Sequence, residues 1–285
     1  MSAFWRWWQH IPEHLDPVIF QIGSFRLQYY GMMYLVAFSI TYFVARYRIK
    51  TENRWSFTQE HLQGLLTAMI IGLILGARLG YVIFYNLTYF LDHPLEIILP
   101  FNFKNGLHFT GISGMSYHGG LIGAFIGLCW YSHKYKLGIL DAADLLAPGG
   151  ALGYTFGRLG NFINGELWGR ITTAPIGMHF PNAEGNALRH PSQLYEAFAE
   201  GILLFILLWP LRHRLTASGG IFGLYLISYG TARFIIEFFR QPDAHLGFIF
   251  LSFSMGQMLC GTMILAGIGF YIYGRKSTAK GVGKK

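Results

Sequence analysis

Long apolar runs alternate along this chain with short polar connections, and the runs have the length of bilayer-crossing helices. Seven windows fit, at residues 27–47, 62–85, 117–135, 139–157, 192–211, 219–239 and 251–273, each near the ~20 residues that a transmembrane helix needs. The pattern predicts an all-α integral membrane protein, a single domain over 1–285 with a membrane body from 27 to 273. The third window ends at His133 and Lys134, and Pro148 breaks the fourth. Three other stretches are too polar or irregular to cross. Residues 10–26 alternate around Gly23-Ser24 and predict a short interfacial hairpin. Residues 86–116 mix Tyr89, Phe90, Phe101, Phe103 and Phe109 with Asp92, Pro94 and Pro100, which predicts an amphipathic arm lying along the membrane surface. Residues 166–190 are polar and carry Pro and Gly, hence a small external cap.

Composition agrees with the pattern: 53% of the 285 residues are hydrophobic, 17% aromatic and only 13% charged, too apolar for a water-soluble domain. The net charge of +8 matters less than its distribution. Arg46, Arg48, Lys50, Arg54, Lys134, Lys136, Arg212, Arg214 and the tail from Arg275 to Lys285 fall on one side. With an odd number of spans, this bias puts the N-terminus outside and the C-terminus in the cytoplasm. Met1 to Gln9 carries Trp5, Trp7 and Trp8 without the apolar core and small-residue cleavage site of a signal peptide, so it reads as an interfacial aromatic anchor. Cys129 and Cys260 lie mid-span with no CxxC spacing and no basic neighbour, which makes them packing residues. Any thiol chemistry then needs a thiol brought by the substrate.

Glycines recur every fourth residue at Gly72, Gly76 and Gly80, at Gly119, Gly123 and Gly127, and at Gly149, Gly153 and Gly157. Such faces let helices approach closely. They lead into three polar groups, Arg78, His118 and Arg158. Arg158, Asn161, Asn164, Glu166 and Arg170 crowd one glycine-rich segment from Gly157 to Arg170, whose bare backbone admits a ligand. A guanidinium in hydrocarbon costs about 2.5–3.5 kcal/mol on insertion scales, so Arg158 needs an anion, a cavity or a partner. Glu166 can neutralise only one of the two arginines. Tyr229, Arg233, Glu237 and Arg240 are spaced by four, four and three, which places them on one helical stripe. An internal Arg233–Glu237 ion pair accounts for part of that stripe but not for its tyrosine and second arginine. For Arg78 an ion pair and a ligand contact are equally good readings. His118, beside Gly119-Gly120, either caps a helix or serves as a general base, imidazole being the natural base near neutral pH.

The patterns G-x-S-x-G, HExxH, Walker loop and EF-hand are missing from the sequence. This disfavours a serine hydrolase, a zincin, a nucleotide motor and a calcium site. Gly123 stands where a histidine–aspartate acyltransferase pair would place its acid. Asp141 and Asp144 read as a helix start.

Six runs together, Gln28-Tyr29-Tyr30-Gly31, Gly76 to Tyr81, Ser116 to Gly123, Gly157 to Arg170, His190 to Glu196 and Glu237 to Asp243, resemble the bacterial phosphatidylglycerol:prolipoprotein diacylglyceryl transferases over almost the whole chain. The resemblance implies a bacterial inner-membrane enzyme that moves the diacylglyceryl group of phosphatidylglycerol onto the lipobox cysteine of a prolipoprotein signal peptide, releasing glycerol 1-phosphate. By motif position it implies Arg158 and Arg233 as essential arginines and His118 as candidate base. Tyr30, Asn161, Glu166, Gly169, Tyr229, Glu237 and Arg240 would form the supporting site, with Arg78 added on its own account. It also implies no metal or organic cofactor and no nucleic-acid partner, only lipids and the signal peptide. The rival reading is an anionic-phospholipid transporter or scramblase, which also wants arginines in a membrane cavity but through both leaflets.

Overall fold

In the computed structural model, residues 2–23, 25–99, 101–102, 108–109, 114–241, 248–250 and 253–282 are described. A helix overlies each of the seven windows: α2 Tyr29–Thr51, α3 Gln59–Tyr85, α5 Tyr117–Lys134, α6 Ile139–Ile163, α7 Ser192–Glu196 continuing to α8 Leu204–Leu211, α9 Gly220–Ile236 and α10 Met255–Val282. The short α1 Ala3–Gln9 and α4 Leu87–Asp92 complete the set. Among the described residues three stretches are long and apolar enough to cross a membrane, Gln59–Tyr85, Ser192–Leu211 and Met255–Arg275, and Gly220–Ile236 is a shorter apolar helix. The expected hairpin is present, with Val18–Ile22 pairing antiparallel to Phe25–Gln28. Ser24, Pro100, Phe103 and Asp243, which entered the sequence reading, lie outside the described residues.

The chain divides into two compact units, one of residues 1–48 and 143–285, the other of residues 49–142. In the second unit α3 lies along α5 with backbones in contact. A Cβ on Gly76 would stand 2.3 Å from the Gly119 carbonyl oxygen, and one on Gly72 would stand 2.2 Å from that of Gly123. Outward faces of these helices stay apolar, with Leu75, Ile83, Leu121 and Phe125 more than half exposed, as lipid-facing surfaces do. In the first unit Gly149 and Gly153 let α6 approach Thr41 and Ala37 of α2. Gly157, the third glycine of that repeat, takes no part, because nothing lies within 4 Å of a Cβ there.

Pro148 does not break its helix. α6 runs through it from Ile139 to Ile163. A proline has no N–H for the carbonyl four residues back, here that of Asp144, and the buried Arg48 side chain supplies the donor instead. Its Nη1 lies 2.6 Å from the Asp144 carbonyl oxygen and 3.0 Å from that of Leu145. Arg48 is 0% exposed, so this charge is turned inward and is not displayed at a surface. Asp144 likewise does more than start its own helix. Its carboxylate accepts from the Gly219 and Phe222 amides at 2.9 and 2.7 Å and so caps α9. Arg48→Met is therefore expected to cost about 1–3 kcal/mol for the carbonyl left unpaired. The double variant with Pro148→Ala, which restores an N–H opposite Asp144, should recover part of that loss in detergent thermal melts.

Candidate active site

The site lies in the first unit, where α6, α7 and α9 meet. Arg158 sits in the last two turns of α6. Its Nε–H is directed to the Tyr154 hydroxyl at 2.7 Å and its Nη1 donates to Asn161 Oδ1 at 3.0 Å. Asn161 Nδ2 in turn donates to Glu166 Oε1 at 2.8 Å. Glu166 thus acts on Arg158 through Asn161. The carboxylate in direct contact is Glu196, whose Oε2 lies 2.7 Å from Arg158 Nε. That correction matters, because the counter-charge comes from α7 and not from the segment after α6 that the sequence suggested.

Glu196 is 1% exposed and collects three arginines. Besides Arg158 it has Arg233 Nη1 at 3.1 Å and Arg240 Nη1 at 3.6 Å. Arg233 also faces Glu200 at 3.8 Å and, through Nη2, Glu237 at 3.2 Å. Neither oxygen of Glu196 accepts a hydrogen bond of good geometry, and Arg233 Nη1 donates none. These contacts are Coulombic, short in distance but poorly aligned. Arg233 Nη1, held that way, can turn to an incoming anion without breaking a directed bond.

The helix geometry behind this cluster is a π-turn. Residues Ala197–Leu203, between α7 and α8, are π-helical, a form that recurs at functional sites because it re-aims side chains. It exposes the Ala197 carbonyl to Thr155 Oγ1 at 3.2 Å. Ser192, Gln193, Glu196 and Glu200 are all at most 1% exposed. Gln193 Nε2 reaches the Glu166 carbonyl at 2.6 Å, which ties this helix to the polar segment after α6. That segment turns sharply: Gly165 and Leu167 have φ of +63° and +59°. The left-handed conformation at Leu167 costs on the order of 1–2 kcal/mol.

Regular helix in α9 ends at Ile236, so Tyr229 and Arg233 lie on it and Glu237 occupies its cap. Arg240 leaves the helix and pairs as an isolated bridge with Gly169. Helical spacing alone therefore does not place it. A side chain at Gly169 has no room, since a Cβ would lie 2.4 Å from the Phe239 carbonyl oxygen. Tyr229 sits edge-on to Tyr154 at 5.7 Å. Tyr30 bonds Tyr34 between hydroxyls at 3.0 Å, and its ring flanks Gly160.

Residues 17–273 match the prolipoprotein diacylglyceryl transferase family. The chain belongs to that family. It is 52% identical over 277 residues to a phosphatidylglycerol-prolipoprotein diacylglyceryl transferase of Chlorobaculum tepidum, covering 97% of this chain and 96% of that protein. An enzyme of the same name from Bordetella parapertussis is 44% identical over 91% of this chain and 95% of its own length. One from Geobacter sulfurreducens is 42% identical over 90% and 94%.

Two candidate residues of this diacylglyceryl transferase chain belong to the second unit. Arg78 donates to the main-chain carbonyls of Ile97 at 2.8 Å and Gly114 at 3.3 Å, and its guanidinium lies 4.9 Å from the Phe90 ring centroid. These contacts pin the connections on either side of residues 98–113. His118 is exposed in the first turn of α5, its ring edge-on to Tyr117 at 5.6 Å. Among the described residues no group of three or more His, Cys, Asp or Glu side chains could hold a metal ion. Next to the cluster, burial pushes the His190 imidazole below its ordinary value, and its Nδ1 lies 3.1 Å from the Tyr195 hydroxyl.

The sequence reading did not single out Glu196, Glu200, Tyr154 or Tyr34. Two carboxylates four apart in an apolar span carry the same signal that marked Arg158, namely charge at depth.

Proposed function

We propose that this chain transfers the diacylglyceryl group of phosphatidylglycerol to the lipobox cysteine thiol of a prolipoprotein signal peptide. The observation that carries this reading is the convergence of Arg158, Arg233 and Arg240 on one buried carboxylate, Glu196, in a chain of the diacylglyceryl transferase family. The arginines fork onto the phosphate oxygens, and Glu196 keeps them together when no lipid is bound. A cysteine thiolate attacks the carbon of the diacylglyceryl group that bears the phosphate. The C–O bond breaks, its electron pair goes to the phosphate oxygen, and glycerol 1-phosphate leaves while the thioether forms. Guanidinium groups stabilise the charge that builds on that oxygen. The thiol proton goes to a base, for which His118 is the candidate.

All seven helices cross the bacterial inner membrane in this reading, with the N-terminus outside, the C-terminus in the cytoplasm and the site toward the outer leaflet. The basic residues clustered at Arg46, Lys50, Arg54, Lys134, Lys136, Arg212 and Arg214 support that orientation. Residues 166–190 form the external cap and residues 86–116 the interfacial arm, with Arg78 bracing the arm.

Incubating the purified protein with phosphatidylglycerol and a lipobox peptide tests the reading by mass spectrometry. A diacylglyceryl mass increment on the cysteine is expected, and lipid movement without it would return the chain to the transporter class. His118→Gln should retain lipid binding and lose most turnover. Recovery at raised pH, where the peptide thiol ionises unaided, marks a base, whereas an equal defect at every pH removes that role.

A further inference from the structure

The matched family region begins at residue 17, yet the residues before it are fastened to the cap segment with specific geometry. Trp8 Nε1 donates to the Ile176 carbonyl at 3.0 Å and Gln9 Nε2 to the Pro175 carbonyl at 3.1 Å. The His179 amide donates to the Gln9 carbonyl at 2.8 Å, and the His10 and His179 rings stack at 4.9 Å. Gln9 is 4% exposed. Trp8, Ile11 and Leu15 pack on the buried cluster of Phe162, Met178 and Phe180. An interfacial anchor alone needs none of these contacts, which run to the protein's own main chain and core.

From the strap the cap leads straight to the arginine cluster through main-chain bonds. Met178 and Arg189 exchange amide bonds of 2.9 Å in both directions. One residue on, the Gly169 amide donates to the His190 carbonyl at 2.8 Å and the Arg170 amide to Phe239 at 2.9 Å. Arg170 Nε reaches the Arg240 carbonyl at 2.9 Å, and Arg240 faces Glu196. Arg189 reinforces the path, with its guanidinium 4.1 Å from the Trp168 ring centroid.

We propose that Trp8 and Gln9 are positioning residues for the transfer reaction, holding the turn at 175–179 so that the Gly169–Arg240 bridge keeps Arg240 aimed at the headgroup site. The catalytic half of this inference rests on the transfer reading above, whereas the mechanical half does not. Contacts of this remote kind shift coupling by roughly two- to thirty-fold.

The test uses the full-length protein with Trp8→Ala and Gln9→Ala combined, and Trp8→Phe, which keeps the ring but loses the N–H donor. The double variant should raise KM for phosphatidylglycerol by about fivefold at temperatures where it is fully folded, with Trp8→Phe in between. Amide hydrogen exchange at Met178, Arg189 and Gly169 should quicken in the same order. A lower Tm with unchanged KM and kcat would overturn the positioning role and leave only a structural strap. Unchanged exchange at Met178 and Gly169 would overturn the mechanical link itself. Wild-type protein that transfers nothing would sink the function reading instead, and the exchange data would still judge the strap.

Discussion

Arg158→Ala is expected to abolish transfer, with turnover down by at least about 10²–10³-fold, while the fold survives. The reason lies in the sharing of Glu196. Truncating one member of a buried pair is severe when it strands the partner's charge. Here Arg233 at 3.1 Å and Arg240 at 3.6 Å remain beside the carboxylate. What the variant does lose is the guanidinium set between Tyr154, Asn161 and Glu196, and with it the fork proposed for the lipid phosphate. Phosphatidylglycerol affinity and melting temperature measured on one detergent-purified sample separate the alternatives. Unchanged affinity with a large fall in melting temperature would remove Arg158 from the phosphate site.

Arg233→Lys is expected to show the second large effect, a loss of about 10²-fold in kcat/KM despite retained charge. Arg233 uses two nitrogens in two directions, Nη1 toward Glu196 and Glu200 and Nη2 toward Glu237. An ammonium is a single point and cannot occupy both places. It would settle near one carboxylate and leave the other with one cation fewer. Turnover near wild type at equal expression would show that the fork is not what the reaction uses.

The two arginines were legible in the sequence for a simple reason. Burying a charge in an apolar span is costly enough that its presence alone marks a site. The seven helices were legible for the complementary reason, since run length and hydropathy are one-dimensional properties. The glycine repeats foretold the backbone contacts of α3 with α5, because a face without side chains can only be filled by a neighbouring backbone. The Val18–Gln28 hairpin followed from alternation around a turn.

Partner choice was not legible. The sequence offered Glu166 as the nearest acid to Arg158, all seven intervening positions being uncharged, but the contact fell to Glu196 on α7. Sequence distance carries no information about which helices become neighbours. Pro148 reads as a break in one dimension, and only the tertiary fold brings in Arg48 to supply the missing donor. Arg240 matches a helical stripe by spacing, but a bridge to Gly169 sets its position. By itself, then, the sequence determined the membrane character, the helices and which residues are too costly to be incidental. The tertiary structure decided which charge answers which, because in a low-dielectric interior compensation depends on distances of a few ångströms that only packing fixes.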